Sequence, residues 1–466
     1  MPKSQRPASP IADISVDADY GGPNAQRGCA ATKTLRFESL NISSPKRNGR
    51  LQSGWEGFFP YYAGYPETFT FALLTSANLP RDAVVFDPWN GSGTTTYAAS
   101  LLGLRSYGFD LNPVMIVVAR ARLLATSEAD GIERLARDVI SFVEPDRRWP
   151  DGDEPLSRWF TDKTSALLRA IERSIRERLV STMEITPTGA KVDRISGLAA
   201  TFYVALFAVC RELVAKFLSS NPTWLRQPKD GEPKIDVPRY LVQERLITNL
   251  QGMALALADR RDLLTTEQGA SEVRLSDTTT ATLPPESVDL ILTSPPYCTR
   301  IDYTAATRVE LAILEPLAQV LPSELSRQMI GSTRVPMQDI NISPTWGRQC
   351  RDFLEALRKH PSKASAGYYY RTHLDYFDKI TRSICNLSQV LKHDGRAIIV
   401  VQDSYYKEIH NDLPAIVTEI GEAYGLKKRR RADFPISRSM SGMNPNTRLY
   451  RKPTGSVEAV LCFSKR

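Results

Sequence analysis

Between Ala83 and Asp110 the chain reads AVVFDPWNGSGTTTYAASLLGLRSYGFD, and this stretch limits the fold more than any other. A short β-branched run ends in polar and glycine residues, a helical segment follows and is closed by Gly103, and RSYGFD forms a second strand ending on an acid. Strand, glycine loop, helix and strand with a terminal acid make up the opening half of a Rossmann-like sheet. The loop also narrows the ligand. A Walker-type phosphate loop needs a lysine beside its Ser/Thr, and a dinucleotide fingerprint needs a third glycine where Thr96 stands. What remains is a cofactor without a pyrophosphate, approached closely by backbone at Gly91 and Gly93, with the Asp110 carboxylate suited to a ribose diol. Asp110 is also placed to cap the helix that begins after Asn112-Pro113, and the two roles are compatible.

A second strand-to-loop junction, SVDLILTSPPY, runs an apolar strand into Ser294, Pro295, Pro296 and Tyr297. Together the two junctions carry a resemblance. DPWNGSGTT is similar to the D-P-F-x-G-S-G-T-T motif of the DNA amino-methyltransferases, which methylate exocyclic amines of cytosine or adenine with S-adenosyl-L-methionine. TSPPY resembles their catalytic S/N/D-P-P-Y/F/W tetrapeptide, and FFPYYAGYPETFTFALL, SEVRLSD and LKHDGRAIIVVQDS resemble further segments of the same fold. The resemblance covers Phe58 to about Leu124 and Ser271 to Arg466.

It implies an α/β, Rossmann-like S-adenosylmethionine-dependent methyltransferase fold, a mixed seven-stranded sheet with a largely helical insertion. Carried over by position, Asp87, Asn90, Gly91, Gly93 and Thr95 line the methionine side, Asp110 holds the ribose and Asp277 approaches the adenine. In the tetrapeptide, Ser294 Oγ and the Pro295 carbonyl accept N–H bonds from the target amine, Pro296 stiffens the turn, and Tyr297 stacks on an extruded base. Serine in the first position favours cytosine N4. The cofactor motif precedes the catalytic one, an order found in some adenine N6 enzymes. RNA or protein amine methylation, and a catalytically silent DNA-binding regulator, are the other readings. Cys298 lacks the Pro-Cys context of cytosine C5 chemistry and reads as a small loop residue.

The expected organisation is an irregular basic arm over 1–50, a catalytic domain over 51–124 and 271–466, and a helical insertion over 125–270 as the candidate target-recognition region. Sixty Lys+Arg against 52 Asp+Glu, a net charge of +8, favour a polyanionic partner, here double-stranded DNA, with a cognate nuclease as a further partner. Trp224, Arg226 and Lys229 in the insertion, and Arg300 and Arg308 after the tetrapeptide, are the candidate DNA contacts, and the run Lys427 to Arg431 is a candidate for phosphates. Six scattered cysteines without a CxxC pair fit neither a zinc site nor a disulfide framework, and a cytoplasmic location is expected.

Overall fold

The computed structural model describes residues 37–47, 55–61, 63–144, 154–181, 185–186, 189–190, 192–218, 225–263, 267–280, 283–298, 303–318, 321–335, 340–436 and 456–465. Seven strands form one sheet: β1 (Val84–Asp87), β2 (Arg105–Asp110), β3 (Ser271–Leu275), β4 (Val288–Thr293), β5 (Leu391–Gln402), β6 (Leu426–Ile436) and β7 (Ser456–Lys465). Their order is β6-β7-β5-β4-β1-β2-β3. The pairs β1–β2, β1–β4, β2–β3 and β4–β5 are parallel, and β7 runs antiparallel to both its neighbours. This is the mixed seven-stranded α/β sheet expected from the sequence. Strand order reverses between β1 and β4, which opens a crevice at their carboxyl ends, where such sheets bind ligands.

Helices α1 (Glu67–Ser76) and α2 (Thr94–Leu101) cover one face. Their core takes Val85, Leu290, Leu292, Ile398, Val400 and Val460 from the sheet, together with Phe37 and Leu40, so part of the expected N-terminal arm packs with the catalytic sheet. Beyond β2 lies a helical layer of α3 (Pro113–Arg122), α4 (Ala129–Ser141), α5 (Asp162–Leu179), α6 (Gly197–Leu213), α7 (Arg239–Leu263) and α8 (Arg308–Ala318). On the opposite face, α9 (Gly347–Lys359), α10 (Tyr370–Val390) and α11 (Leu413–Ala423) bury Ala397, Ile399 and Val401, the alternate side chains of β5.

The insertion shares its core with the catalytic domain: Ile132, Phe202 and Leu246 pack in one cluster with Val114 to Val118 of α3 and Ile313 of α8. At its centre α6 is apolar on every side, starts at an N-cap whose Ser196 side chain accepts from the Ala199 N–H, and buries eleven of its residues. The segment Gly197–Phe217 has the length and apolarity to cross a bilayer, with a mean hydropathy of 1.7 over its most apolar 18 residues, but 67% of that window is buried inside the protein. It is a core helix by its surroundings.

The α2 amino terminus depends on one backbone conformation. Gly93 has φ +81°, and a Cβ there would lie 2.8 Å from Cβ of Ala119 in α3. Both the left-handed backbone and the helix contact select glycine. Gly93→Val is expected to lower stability by about 3 kcal/mol from strain and overpacking combined, read as a lower urea midpoint at unchanged slope.

Candidate active site

Both sequence junctions end at the crevice, and one carboxylate ties them together. Asp87, the last residue of β1, is 3% exposed and accepts four hydrogen bonds. Its Oδ1 takes the Thr293 hydroxyl at 2.6 Å and the Trp89 N–H at 3.1 Å, and its Oδ2 takes the Thr95 hydroxyl at 2.6 Å and the Tyr65 hydroxyl at 3.2 Å. Tyr65 also meets Thr95 at 2.6 Å and the Leu292 carbonyl at 3.1 Å. Burial raises the Asp87 carboxyl to about 6, against the pull of its hydroxyl and N–H donors. Asp87 and Thr95 therefore lie beneath the glycine loop and fix it to β4, with both oxygens of Asp87 spent on protein donors.

Above them the loop turns through Gly91 at φ +50° and Gly93 at φ +81°. Asn90 folds under this turn. Its Oδ1 accepts from Thr96 at 3.2 Å, while its buried Nδ2 has no partner among the described residues, and a Cβ on Gly108 of β2 would stand 2.5 Å from that amide. At the end of β2, Asp110 accepts the Gly91 N–H at 2.9 Å and the Asn112 N–H at 2.8 Å. Asn112 takes the N-cap of α3, accepting from the Val114 N–H with Pro113 in the first turn, and so the cap role does not fall to Asp110. Burial raises the Asp110 carboxyl to about 6. Asp277 follows β3, which is the neighbour of β2, and accepts the Thr279 N–H at 2.8 Å.

Two cations beside the loop are already engaged by protein groups. Arg122 donates to the Ser92 carbonyl at 3.2 Å and to Thr94 at 3.1 Å while pairing with Glu67, and Arg47 pairs with Glu56 at 3.2 Å. The carboxylates at the crevice, Asp87 and Asp110, are acceptors suited to hydroxyl and N–H donors.

The tetrapeptide leaves β4 directly. Ser294 donates to the Tyr297 hydroxyl at 3.2 Å, Tyr297 donates to Oε1 of Glu458 at 2.7 Å, and Tyr376 of α10 donates to the Pro296 carbonyl at 2.9 Å. Gly331 packs under Tyr297 with φ +76°, where a Cβ would come within 3.2 Å of its carbonyl oxygen. Glu458 escaped the sequence reading. Its signal was a lone acid in the apolar strand SVEAVLCFSK, at a position the sheet buries. Cys298 next to the turn has its thiol pushed up to about 12 by burial, which leaves almost no thiolate.

The candidate DNA contacts are scattered. Trp224 and Arg300 lie outside the described residues. Arg226 is held by Glu232 at 2.6 and 2.9 Å and stacks over Phe217, whereas Lys229 is exposed. Arg308 opens α8, directly after Thr307, whose hydroxyl accepts from Asn112. The basic run begins β6 and so lies at the sheet edge opposite the crevice, where Arg430 donates to the carbonyls of Phe37 at 3.0 Å and Leu40 at 2.9 Å, and Arg431 pairs with Asp433.

No family model matches the chain. It is 23% identical over 276 residues to the type II methyltransferase M.BsoBI of Geobacillus stearothermophilus, 54% of this chain and 51% of that one, and so spans about half the length of that relative. With the type II methyltransferase M.AvaI of Nostoc sp. the identity is 23% over 445 residues, covering 89% of this chain and 88% of the relative. With the type II methyltransferase M.MvaI of Kocuria varians it is 21% over 383 residues, 76% and 78% of the two chains.

Proposed function

We propose that the chain is a DNA methyltransferase that moves a methyl group from S-adenosyl-L-methionine to an exocyclic amine of a base extruded from the duplex, with cytosine N4 the favoured acceptor. The observation that carries this reading is the shared anchor: Thr293, the residue before Ser294, donates to Asp87 over 2.6 Å, so the Ser-Pro-Pro-Tyr turn and the glycine loop hang from one carboxylate. Three relatives with methyltransferase names and the mixed seven-stranded sheet support it. Their type II designation supports a restriction-modification setting, with a cognate nuclease as partner.

In this reading the backbone at Gly91 and Gly93 holds the methionine side of the cofactor, Asp110 its ribose and Asp277 its adenine. Bound there, the cofactor supplies a sulfonium methyl: the amine nitrogen gains a bond to carbon, the carbon–sulfur bond breaks, and its electron pair stays on sulfur. The amine starts as a poor nucleophile because its lone pair is conjugated with the ring. Ser294 Oγ and the Pro295 carbonyl accept its N–H groups, turning the lone pair out of conjugation and aiming it. The Tyr297 ring gives the base a face to stack on.

Labelled cofactor incubated with duplex DNA is expected to label the DNA, and a nucleoside digest to yield N4-methyl-2′-deoxycytidine. Label on RNA or protein alone overturns the reading. Methyl at adenine N6 transfers it to the second reading, which the order of the two motifs favours.

Cofactor affinity should follow Asp110. With its carboxyl raised to about 6, the ionised, acceptor-only form prevails above that pH and is lost below it. Calorimetric titration is expected to give level affinity above pH 7 and a decline below pH 6 that approaches about tenfold per pH unit. Asp110→Asn should bind weakly at every pH, with a flatter trend whose remainder belongs to Asp87, also at about 6 beneath the loop.

A further inference from the structure

Two hydrogen bonds in series lead away from Ser294 of the Ser-Pro-Pro-Tyr turn. Ser294 donates to Tyr297 at 3.2 Å and Tyr297 donates to Glu458 at 2.7 Å, so the chain of hydroxyls ends on a carboxylate and the Ser294 proton is engaged, which leaves its oxygen to act as an acceptor. Glu458 is 8% exposed, lies near the start of β7, and pairs across the sheet with Gln402 at the end of β5. Burial raises its carboxyl, and the Tyr297 bond and the charge of Lys46 oppose that rise. Among the described residues, this buried acid bonds the tyrosine of the tetrapeptide. A hydroxyl that must accept from an amine works best when its own proton is held by another acceptor, and a carboxylate at the far end strengthens each bond in such a chain.

We propose that Glu458 is a positioning residue for Ser294, acting through Tyr297, and that its carboxylate takes up the proton the amine sheds on methylation. This rests on the methyltransferase reading. Methylation of a neutral amine leaves the nitrogen one proton in excess. That proton passes to Ser294 Oγ as the Ser294 proton moves to the Tyr297 oxygen and the Tyr297 proton moves to Glu458. The two hydroxyls end neutral, the amine ends neutral, and the carboxylate becomes a carboxylic acid that later loses its proton to solvent.

Glu458→Gln, Tyr297→Phe and the double variant test this. Glu458→Gln keeps the shape and an acceptor oxygen but loses the base. Its kcat is expected to fall about 100-fold, with KM for both substrates and the affinity for unmodified duplex unchanged. Tyr297→Phe should lose a similar factor, and the double variant no more than the larger single loss, because one path is broken twice. A readout independent of turnover uses 13Cζ-labelled tyrosine: the resonance missing in Tyr297→Phe should shift in Glu458→Gln while the other tyrosines stay in place. Wild-type kcat in Glu458→Gln, losses that multiply in the double variant, or an unmoved Tyr297 resonance would overturn the proposal even with the parent enzyme active on DNA. If the unaltered protein labels no DNA, the methyltransferase reading falls and the relay falls with it.

Discussion

Ser294→Ala is expected to lower kcat on duplex DNA by about 100- to 1,000-fold, with cofactor affinity and the unfolding midpoint unchanged. The side chain is small and lies at a strand end, so its loss opens little space, and Tyr297 keeps its bond to Glu458 at 2.7 Å. What disappears is an acceptor for the amine N–H and the first link in the proton path. Rate and affinity should therefore separate, as they do when an interaction is made only on the way to the transition state. Single-turnover methylation with saturating cofactor measures this. A loss of less than about threefold would remove Ser294 from the chemistry. A protein that binds duplex DNA tightly, methylates none and is indifferent to this change would instead be the silent regulator.

Arg169→Ala is expected to cost about 3–5 kcal/mol of stability, the usual penalty for stripping one partner from a buried ion pair. Arg169 of α5 is 4% exposed and holds Glu154 through two bonds of 2.9 and 3.2 Å. Its other donors reach the carbonyls of Ala312 at 2.7 Å and Ile313 at 2.8 Å in α8. The substitution strands a buried carboxylate and two backbone acceptors at once, and Glu172, 3.7 Å from the guanidinium, loses a counter-charge. Urea denaturation should show a midpoint drop across the whole molecule, because α8 belongs to the catalytic half of the chain. An independent early transition, with the catalytic sheet unaffected, would mean that the insertion folds as a separate lobe.

That prediction bears on how the insertion was read. Its helical character was legible over 125–270 from apolar spacing, and the helices Ala129–Ser141, Asp162–Leu179, Gly197–Leu213 and Arg239–Leu263 lie within that stretch. Where those apolar faces go is not a local property. They pack on α3 and α8 in one shared core, and Arg226, one of the candidate DNA contacts there, is engaged by Glu232. The cations at the start of β6 were legible as a basic run, but the sheet sets them at the edge away from the crevice.

The sequence by itself determined the local pieces: a glycine loop after β1, an acid ending β2, and a proline-stiffened turn after β4. Each is written in a few adjacent residues, through backbone sterics and the two-residue period of strands. Only the tertiary structure decided which groups meet. Asp87 gathers donors from Tyr65, Thr95 and Thr293, Asn112 takes the cap for which Asp110 was also placed, and Glu458 reaches Tyr297 across 161 positions of chain. The physical reason is range: steric and periodic preferences act over a few residues, whereas a buried polar group must find a partner wherever the packed sheet brings one within about 3 Å.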